Sequence, residues 1–159
     1  MESYDVNAKA VIEKLKERGY HISFAESCTG GIAVARLVDV PDASSVLDAS
    51  LVTYANSAKI NFLDVKEETI NTYGVVSENV AEEMAKGVAR INSAEVGVGI
   101  SGIAGPTGAT PTKPIGMVCF GFYIDGRCLT FTKQFGEIGR QEVRRKSVDF
   151  VYEKLLELL

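Results

Sequence analysis

Between His21 and Val38 a short β-rich run passes directly into a helical one through a serine, a threonine and two glycines. That junction commits the chain to an α/β arrangement. Ile22 and Phe24 alternate along His21–Ala25, the pattern of a strand. Ile32-Ala33-Val34-Ala35-Arg36-Leu37 then reads as the first turns of a helix reaching about Val38. The linking segment is Glu26-Ser27-Cys28-Thr29-Gly30-Gly31, so Ser27 stands where a strand hands over to a helix N-terminus. Such a place carries unpaired N–H groups and the positive end of the helix dipole, and it attracts anions and developing oxyanions. Backbone N–H groups near Thr29, Gly30 and Gly31 are the expected oxyanion donors, with the glycines allowing close approach. The plainer reading makes Ser27 or Thr29 an N-cap contributing about 1 kcal/mol, and Cys28 a small buried hydrophobe.

The rest of the chain extends the alternation. Val6 to Arg18 is amphipathic and ends at Gly19. Pro41 to Ser45 is a loop, Val46 to Tyr54 a strand, and Ala55 to Asn61 a short polar turn or helix. Glu67 to Tyr73 is a weak helix ending at Gly74. Ser77 caps a helix over Glu78 to Ile91, with Val80, Met84, Val88 and Ile91 in one stripe. Val96 to Ile100 is a strand of valines and glycines, and Ser101 to Gly116 is a second glycine-rich loop. Met117–Ile124 and Arg127–Phe135 form a hairpin across Asp125-Gly126. The last helix runs from about Arg140 to Leu158, with Val143, Ser147, Phe150, Val151, Leu155 and Leu158 inward. This order predicts an α/β fold: a three-layer α/β/α sandwich with a mixed sheet, its C-terminal β-hairpin followed by a long helix.

With 159 residues and no repeat or linker, residues 1–159 read as a single domain. The net charge of −4 argues against direct nucleic-acid contact. The one basic cluster, Arg140, Arg144, Arg145 and Lys146, reads as a solvated helix face from which one arginine could serve a phosphate. Three cysteines without a C-x-x-C and a single histidine are poor material for zinc. A two-residue turn would pair Cys128 with Tyr123 and Cys119 with Thr132, leaving the two sulfurs roughly 13 Å apart, too far to bridge. Reduced thiols fit a cytoplasmic protein. No apolar run reaches the ~18 residues of a membrane span, and Met1 to Asp5 shows no leader pattern. Leu155, Leu156, Leu158 and Leu159 read either as a core-facing helix end or as an apolar partner surface, which leaves a homo-oligomer open.

Both glycine-rich loops follow strands, where ligands of open α/β sheets collect. Neither is a Walker A loop nor a dinucleotide fingerprint. A third segment, Val52-Thr53-Tyr54-Ala55-Asn56-Ser57-Ala58-Lys59, ends a strand and delivers a lysine. On spacing alone Lys59 reads as solvated. Yet His21 lies at the front of its strand, so if Ser27 is a nucleophile, Lys59 is the available base in the manner of Ser–Lys pairs. It would then need burial or a neighbouring cation to hold it neutral.

Five segments in this order carry a resemblance: Ala25-Glu-Ser-Cys-Thr-Gly-Gly31, Thr53-Tyr-Ala-Asn-Ser-Ala-Lys59, Gly74-Val-Val-Ser-Glu78, Gly102-Ile-Ala-Gly-Pro106 and Lys113-Pro-Ile-Gly116. Together they resemble the CinA C-terminal domain family, the nicotinamide mononucleotide deamidases, over most of the chain, in its stand-alone form. The resemblance implies hydrolysis of the nicotinamide carboxamide of the mononucleotide, in pyridine nucleotide salvage, to nicotinic acid mononucleotide and ammonia, with no metal and no organic cofactor. It implies Ser27 as nucleophile and Lys59 as its base. The small-molecule nucleotide would be gripped by Tyr54, Asn56, Gly102, Gly105, Thr107, Gly108, Thr110 and Arg140. Its phosphate is expected against the Gly102–Thr110 loop, Arg140 or both, with Tyr54 walling the base slot. The sequence departs from the family at Thr107-Gly-Ala-Thr110, where glycine runs are usual, and at Ile138-Gly139-Arg140, where Arg140 lacks the usual acidic neighbour. The alternative reading is a catalytically weak nucleotide-binding or competence- and damage-related regulatory domain.

Overall fold

The computed structural model describes residues 3–159. Met1 and Glu2, the start of the segment read for a leader, lie outside the described residues. A five-stranded sheet has the order β2-β1-β3-β4-β5. The strands are β1 (Ile22–Glu26), β2 (Leu51–Val52), β3 (Val96–Gly102), β4 (Met117–Ile124) and β5 (Arg127–Gln134). The pairs β1–β2 and β1–β3 are parallel, and β3–β4 and β4–β5 antiparallel. On one face lie α1 (Val6–Arg18), α2 (Ile32–Val38) and α6 (Arg140–Leu158); on the other lies α5 (Glu78–Ile91), with α3 (Asn56–Leu63) and α4 (Glu67–Tyr73) against it. This is the expected sandwich around a mixed sheet.

The valine–glycine strand explains how the second helical layer comes so near. Val96, Val98 and Ile100 enter the larger core beneath α1, α2 and α6. The alternating Gly97 and Gly99 face α5, where an added Cβ would stand 2.2 Å from the Ala85 carbonyl and 2.3 Å from that of Ala81. Only a bare strand face admits the helix at this distance.

The sequence expects a long strand over Val46–Tyr54, whereas only Leu51–Val52 pair as β2. Side chains take the place of the ladder in between. Ser23 Oγ donates to the Ala49 carbonyl at 2.7 Å, and the Phe24 N–H donates to Ser50 Oγ at 3.0 Å. The short segment Ala55–Asn61 is a full helix to Leu63. The hairpin has the expected register, Cys128 opposite Tyr123 and Cys119 opposite Thr132. Its turn residues Asp125 and Gly126 both have positive φ, the conformation this two-residue connection requires. At the C-terminus Leu155 is buried, and Leu156, Leu158 and Leu159 pack on the chain's own core, so the core-facing reading of these leucines holds. No helix among the described residues is long and apolar enough to cross a membrane.

Candidate active site

Three strands end side by side. Ser27 follows β1, Tyr54 follows β2, and Ser101 and Gly102 close β3, all at the carboxyl edge of the parallel part of the sheet. The turn after β1 is a β-turn in which the Gly30 N–H donates to the Ser27 carbonyl at 3.0 Å. Gly31, at φ 107°, occupies the N-cap position of α2 but has no side chain to cap with. The cap is supplied from the strand. One carboxylate oxygen of the wholly buried Glu26 accepts from the N–H groups of Gly31 (3.1 Å) and Ala33 (3.0 Å), and the other from Val34 (2.9 Å). The anion expected at this helix N-terminus is therefore the protein's own carboxylate. Neither Ser27 nor Thr29 acts as a cap, and Ser27 Oγ is left for other work.

The same bonds correct the expected oxyanion donors. The N–H groups of Gly30 and Gly31 are already spent on the Ser27 carbonyl and on Glu26. Among the described residues, the N–H groups of this turn that meet no acceptor are those of Ser27, Cys28 and Thr29. Thr29 does not line the cleft; it is wholly buried, with Oγ1 unpartnered.

Lys59, the fourth residue of α3, is fully buried at 1 % exposure. Its Nζ lies 3.1 Å from Ser27 Oγ, 2.8 Å from the Thr53 carbonyl and 3.2 Å from the Tyr54 carbonyl. Burial pushes its pKa down from 10.5 to about 8, against a small opposing pull from Cys28. The partner set fixes the chemistry. A carbonyl can only accept, so a neutral amine spends its two N–H bonds on Thr53 and Tyr54 and turns its lone pair to the Ser27 hydroxyl. That is the arrangement of a general base beside a nucleophile. Cys28, next to Ser27, has its thiol pushed up to about 12 by burial, only partly relieved by Arg144, so it offers no thiolate at neutral pH.

Ser27 and Lys59 open onto a cleft of about 290 Å³. Of the residues expected to hold a ligand, Tyr54, Asn56, Gly102, Thr107, Gly108 and Arg140 line it. Arg140 is held in place by two bonds, one to the Gly105 carbonyl at 2.9 Å and one to the Tyr54 hydroxyl at 2.8 Å. Gly105 thus contributes by anchoring Arg140 rather than by lining the cleft. Thr110 does not reach the cleft. Its N–H and Oγ1 close a turn with Lys113 at the far end of the loop. Of the remaining basic cluster, Arg144 grips the turn that carries Ser27, and Arg145 pairs with Glu142 and Asp149 on the solvent side.

Sequence reasoning missed Val75, Val76, Ser101, Ile103 and Ala104, which complete the cleft wall. The sequence ends this strand at Ile100 and places Ser101 in the loop, whereas β3 runs on to Gly102 and carries Ser101 to the cleft. Val75 and Val76 were not legible, because they lie between two helices and reach the site through tertiary bonds. Ser101 Oγ donates to the Val75 carbonyl at 2.8 Å, and Lys113 Nζ donates to the carbonyls of Tyr73 and Val76. His21 stands at the opposite end of β1, paired with Asp48, away from the chemistry. Among the described residues no three His, Cys, Asp or Glu side chains gather as a metal site.

The model of the CinA C-terminal domain matches residues 5–159. A CinA-like protein of Kosmotoga olearia is 41 % identical over 153 residues, 94 % of this chain and 37 % of its own length. A Clostridium tetani protein named as competence-damage inducible is 47 % identical over 135 residues, 84 % of this chain and 32 % of its own. The chain thus spans about a third of the length of these curated relatives. Among solved structures, the competence/damage inducible protein CihA of Agrobacterium tumefaciens superposes with a TM-score of 0.93 at 36 % identity, covering 99 % of both chains. A competence-damaged protein superfamily member of Escherichia coli gives 0.95 at 32 % identity, covering 99 % of this chain and 91 % of that one.

Proposed function

This chain belongs to the CinA C-terminal domain family, and on that premise we propose that it is an amidohydrolase converting nicotinamide mononucleotide to nicotinic acid mononucleotide and ammonia. The observation that carries the reading is the buried Lys59 amine, with two carbonyls taking its hydrogens and Ser27 Oγ its lone pair.

In this mechanism Ser27 Oγ attacks the carboxamide carbon while its proton passes to Lys59. The N–H groups of Cys28 and Thr29 receive the developing oxyanion; one such donor is typically worth about 10²–10³ in rate. When the C–N bond breaks, Lys59 returns the proton to the departing ammonia, leaving the acyl group as an ester on Ser27. Water then attacks that ester, giving one proton to Lys59, which passes it to Ser27 Oγ as the ester C–O bond breaks; the acid released gives its remaining proton to the ammonia in solution. The only net reactant besides the amide is one water. Arg140 is the cation in the cleft for the 5′-phosphate, and Tyr54, to which it is bonded, flanks the pyridine ring.

The test is ammonia release over a panel comprising nicotinamide mononucleotide, nicotinamide riboside, free nicotinamide and a non-pyridine amide. The mononucleotide is expected to turn over most efficiently, at least ~10-fold ahead of the riboside. Binding of the mononucleotide without ammonia would favour a regulatory nucleotide-binding domain instead.

A further inference from the structure

Arg144, on the second turn of α6, reaches across to the β-turn that carries Ser27. Its Nε donates to the Cys28 carbonyl at 2.9 Å and its Nη2 to the Thr29 carbonyl at 3.0 Å. The fork is seated closely: a Cβ at Gly30 would stand 3.2 Å from Nη2. The Cys28–Thr29 peptide is the central peptide of that turn, since Ser27 and Gly30 close it. In a trans peptide the C=O and the next N–H point in opposite directions. Holding the Cys28 carbonyl toward α6 therefore turns the Thr29 N–H away from α6. That N–H is one of the three in this turn with no protein acceptor. Central peptides of β-turns are the ones able to rotate between turn types, and such a rotation would exchange this N–H for a carbonyl oxygen.

We propose that Arg144 is a positioning residue for the hydrolysis: it locks the Cys28–Thr29 peptide so that the Thr29 N–H stands ready for the oxyanion formed at Ser27. The inference rests on the Ser27–Lys59 reading of the cleft, but it assigns a role to a side chain that does not line it. One planar guanidinium holds the carbonyls of two successive peptides, Cys28–Thr29 and Thr29–Gly30, and so fixes the turn on both sides of Thr29, which a lysine cannot reproduce. The negative φ of Thr29 is compatible with the same orientation, because only Asp42, Asp64, Ser93 and Asp125 are positive among the described non-glycine residues.

The test compares wild type with Arg144→Ala and Arg144→Lys, using Arg145→Ala as the control on the solvent side of the same helix. The measurements are kcat and KM for ammonia release, the rate at which a fluorophosphonate labels Ser27, the response of Arg144→Ala to added guanidinium, and the melting temperature of each variant. In the labelling step the Ser27 Oγ–P bond forms, the P–F bond breaks, fluoride leaves and the hydroxyl proton passes to Lys59. The phosphoryl oxygen takes the oxyanion's place, so this readout is independent of the natural substrate. In Arg144→Ala, kcat and the labelling rate are expected to fall between about tenfold and the 10²–10³ of a fully lost donor. KM should stay within about threefold, as for an interaction made in the transition state. Arg144→Lys should be nearly as impaired, non-denaturing guanidinium should restore part of the loss, and Arg145→Ala should match wild type. Kcat and labelling of Arg144→Ala within about twofold of wild type would overturn the role, as would a loss that guanidinium leaves unchanged and that follows a lowered melting temperature. If wild type labels with this Arg144 dependence yet releases no ammonia from the mononucleotide, the substrate assignment fails and the positioning role stands. A wild-type protein that neither labels nor hydrolyses overturns both.

Discussion

Replacing Lys59 with methionine should make the protein more stable at neutral pH while abolishing its chemistry. Lys59 is 1 % exposed, and burial lowers its pKa from 10.5 to about 8. Each unit of depression is worth about 1.4 kcal/mol, so holding the ammonium in this site costs the fold about 3 kcal/mol below pH 8. Methionine is also unbranched and fills a similar space without a charge. It leaves the Thr53 and Tyr54 carbonyls without their donor, at about 1 kcal/mol each. The balance favours Lys59→Met by about 1 kcal/mol at pH 7. The sign reverses with pH. Between about 8 and 10.5 the unfolded chain binds more protons at this lysine than the native one does. Stability of the wild type relative to the variant therefore rises with pH through that window. Above it the wild type should be the more stable by about 2 kcal/mol, the two recovered carbonyl bonds. Urea unfolding of both proteins from pH 6.5 to 10.5 measures this, and taking the difference cancels every other titrating group. A stability difference that stays constant over pH 8–10.5 would refute the depressed pKa and, with it, the neutral-base argument.

Three further outcomes follow from the same geometry. The rate of ammonia release should climb with pH and level off above about 8, where Lys59 becomes neutral; a profile flat from pH 6 to 9 would count against a lysine base. Glu26→Gln should destabilise the fold by about 3 kcal/mol in urea unfolding, because three N–H groups at the start of α2 lose a charged acceptor in a buried place; a loss under about 1 kcal/mol would show that the helix caps itself another way. Nicotinamide riboside should react at least ~10-fold less efficiently than the mononucleotide, since a charge-assisted phosphate contact contributes about 1.5–3 kcal/mol. Arg140→Ala should penalise the mononucleotide far more than the riboside, and equal losses would move the phosphate away from Arg140.

The layered architecture was legible because local patterns and topology agree. The β-α junction at Ser27, the Asp125-Gly126 turn and the α5 stripe through Val80, Met84 and Val88 each reflect contacts between near neighbours and read directly from spacing, whereas Ile91, expected in the same stripe, is exposed at the end of the helix. What escaped depends on distant partners. The strand over Val46–Tyr54 has suitable residues, but Ser23 and Ser50 substitute side-chain bonds for the ladder, and no window of sequence contains both. The alternation of valine and glycine in β3 carries no reason of its own in the sequence; α5 occupies the space that side chains at Gly97 and Gly99 would fill. At the site, Ser27 and Lys59 could be singled out by residue type, yet the burial of Lys59 and its two carbonyl partners come from the packing of α3 beneath the sheet edge. The helix N-terminus shows the sharpest difference. Sequence logic leaves its N–H groups free for an external anion, whereas Glu26, read simply as the residue before the serine, fills that place.

The most direct measurement is ammonia release from nicotinamide mononucleotide by wild type and by Ser27→Ala, with the nicotinic acid mononucleotide formed quantified alongside. Wild type should produce the two in equal amounts. Ser27→Ala should be slower by at least about 10³-fold, with its melting temperature nearly unchanged because Ser27 caps no helix. Near-normal turnover by Ser27→Ala, or no ammonia from the wild type, would contradict a Ser27–Lys59 amidohydrolase.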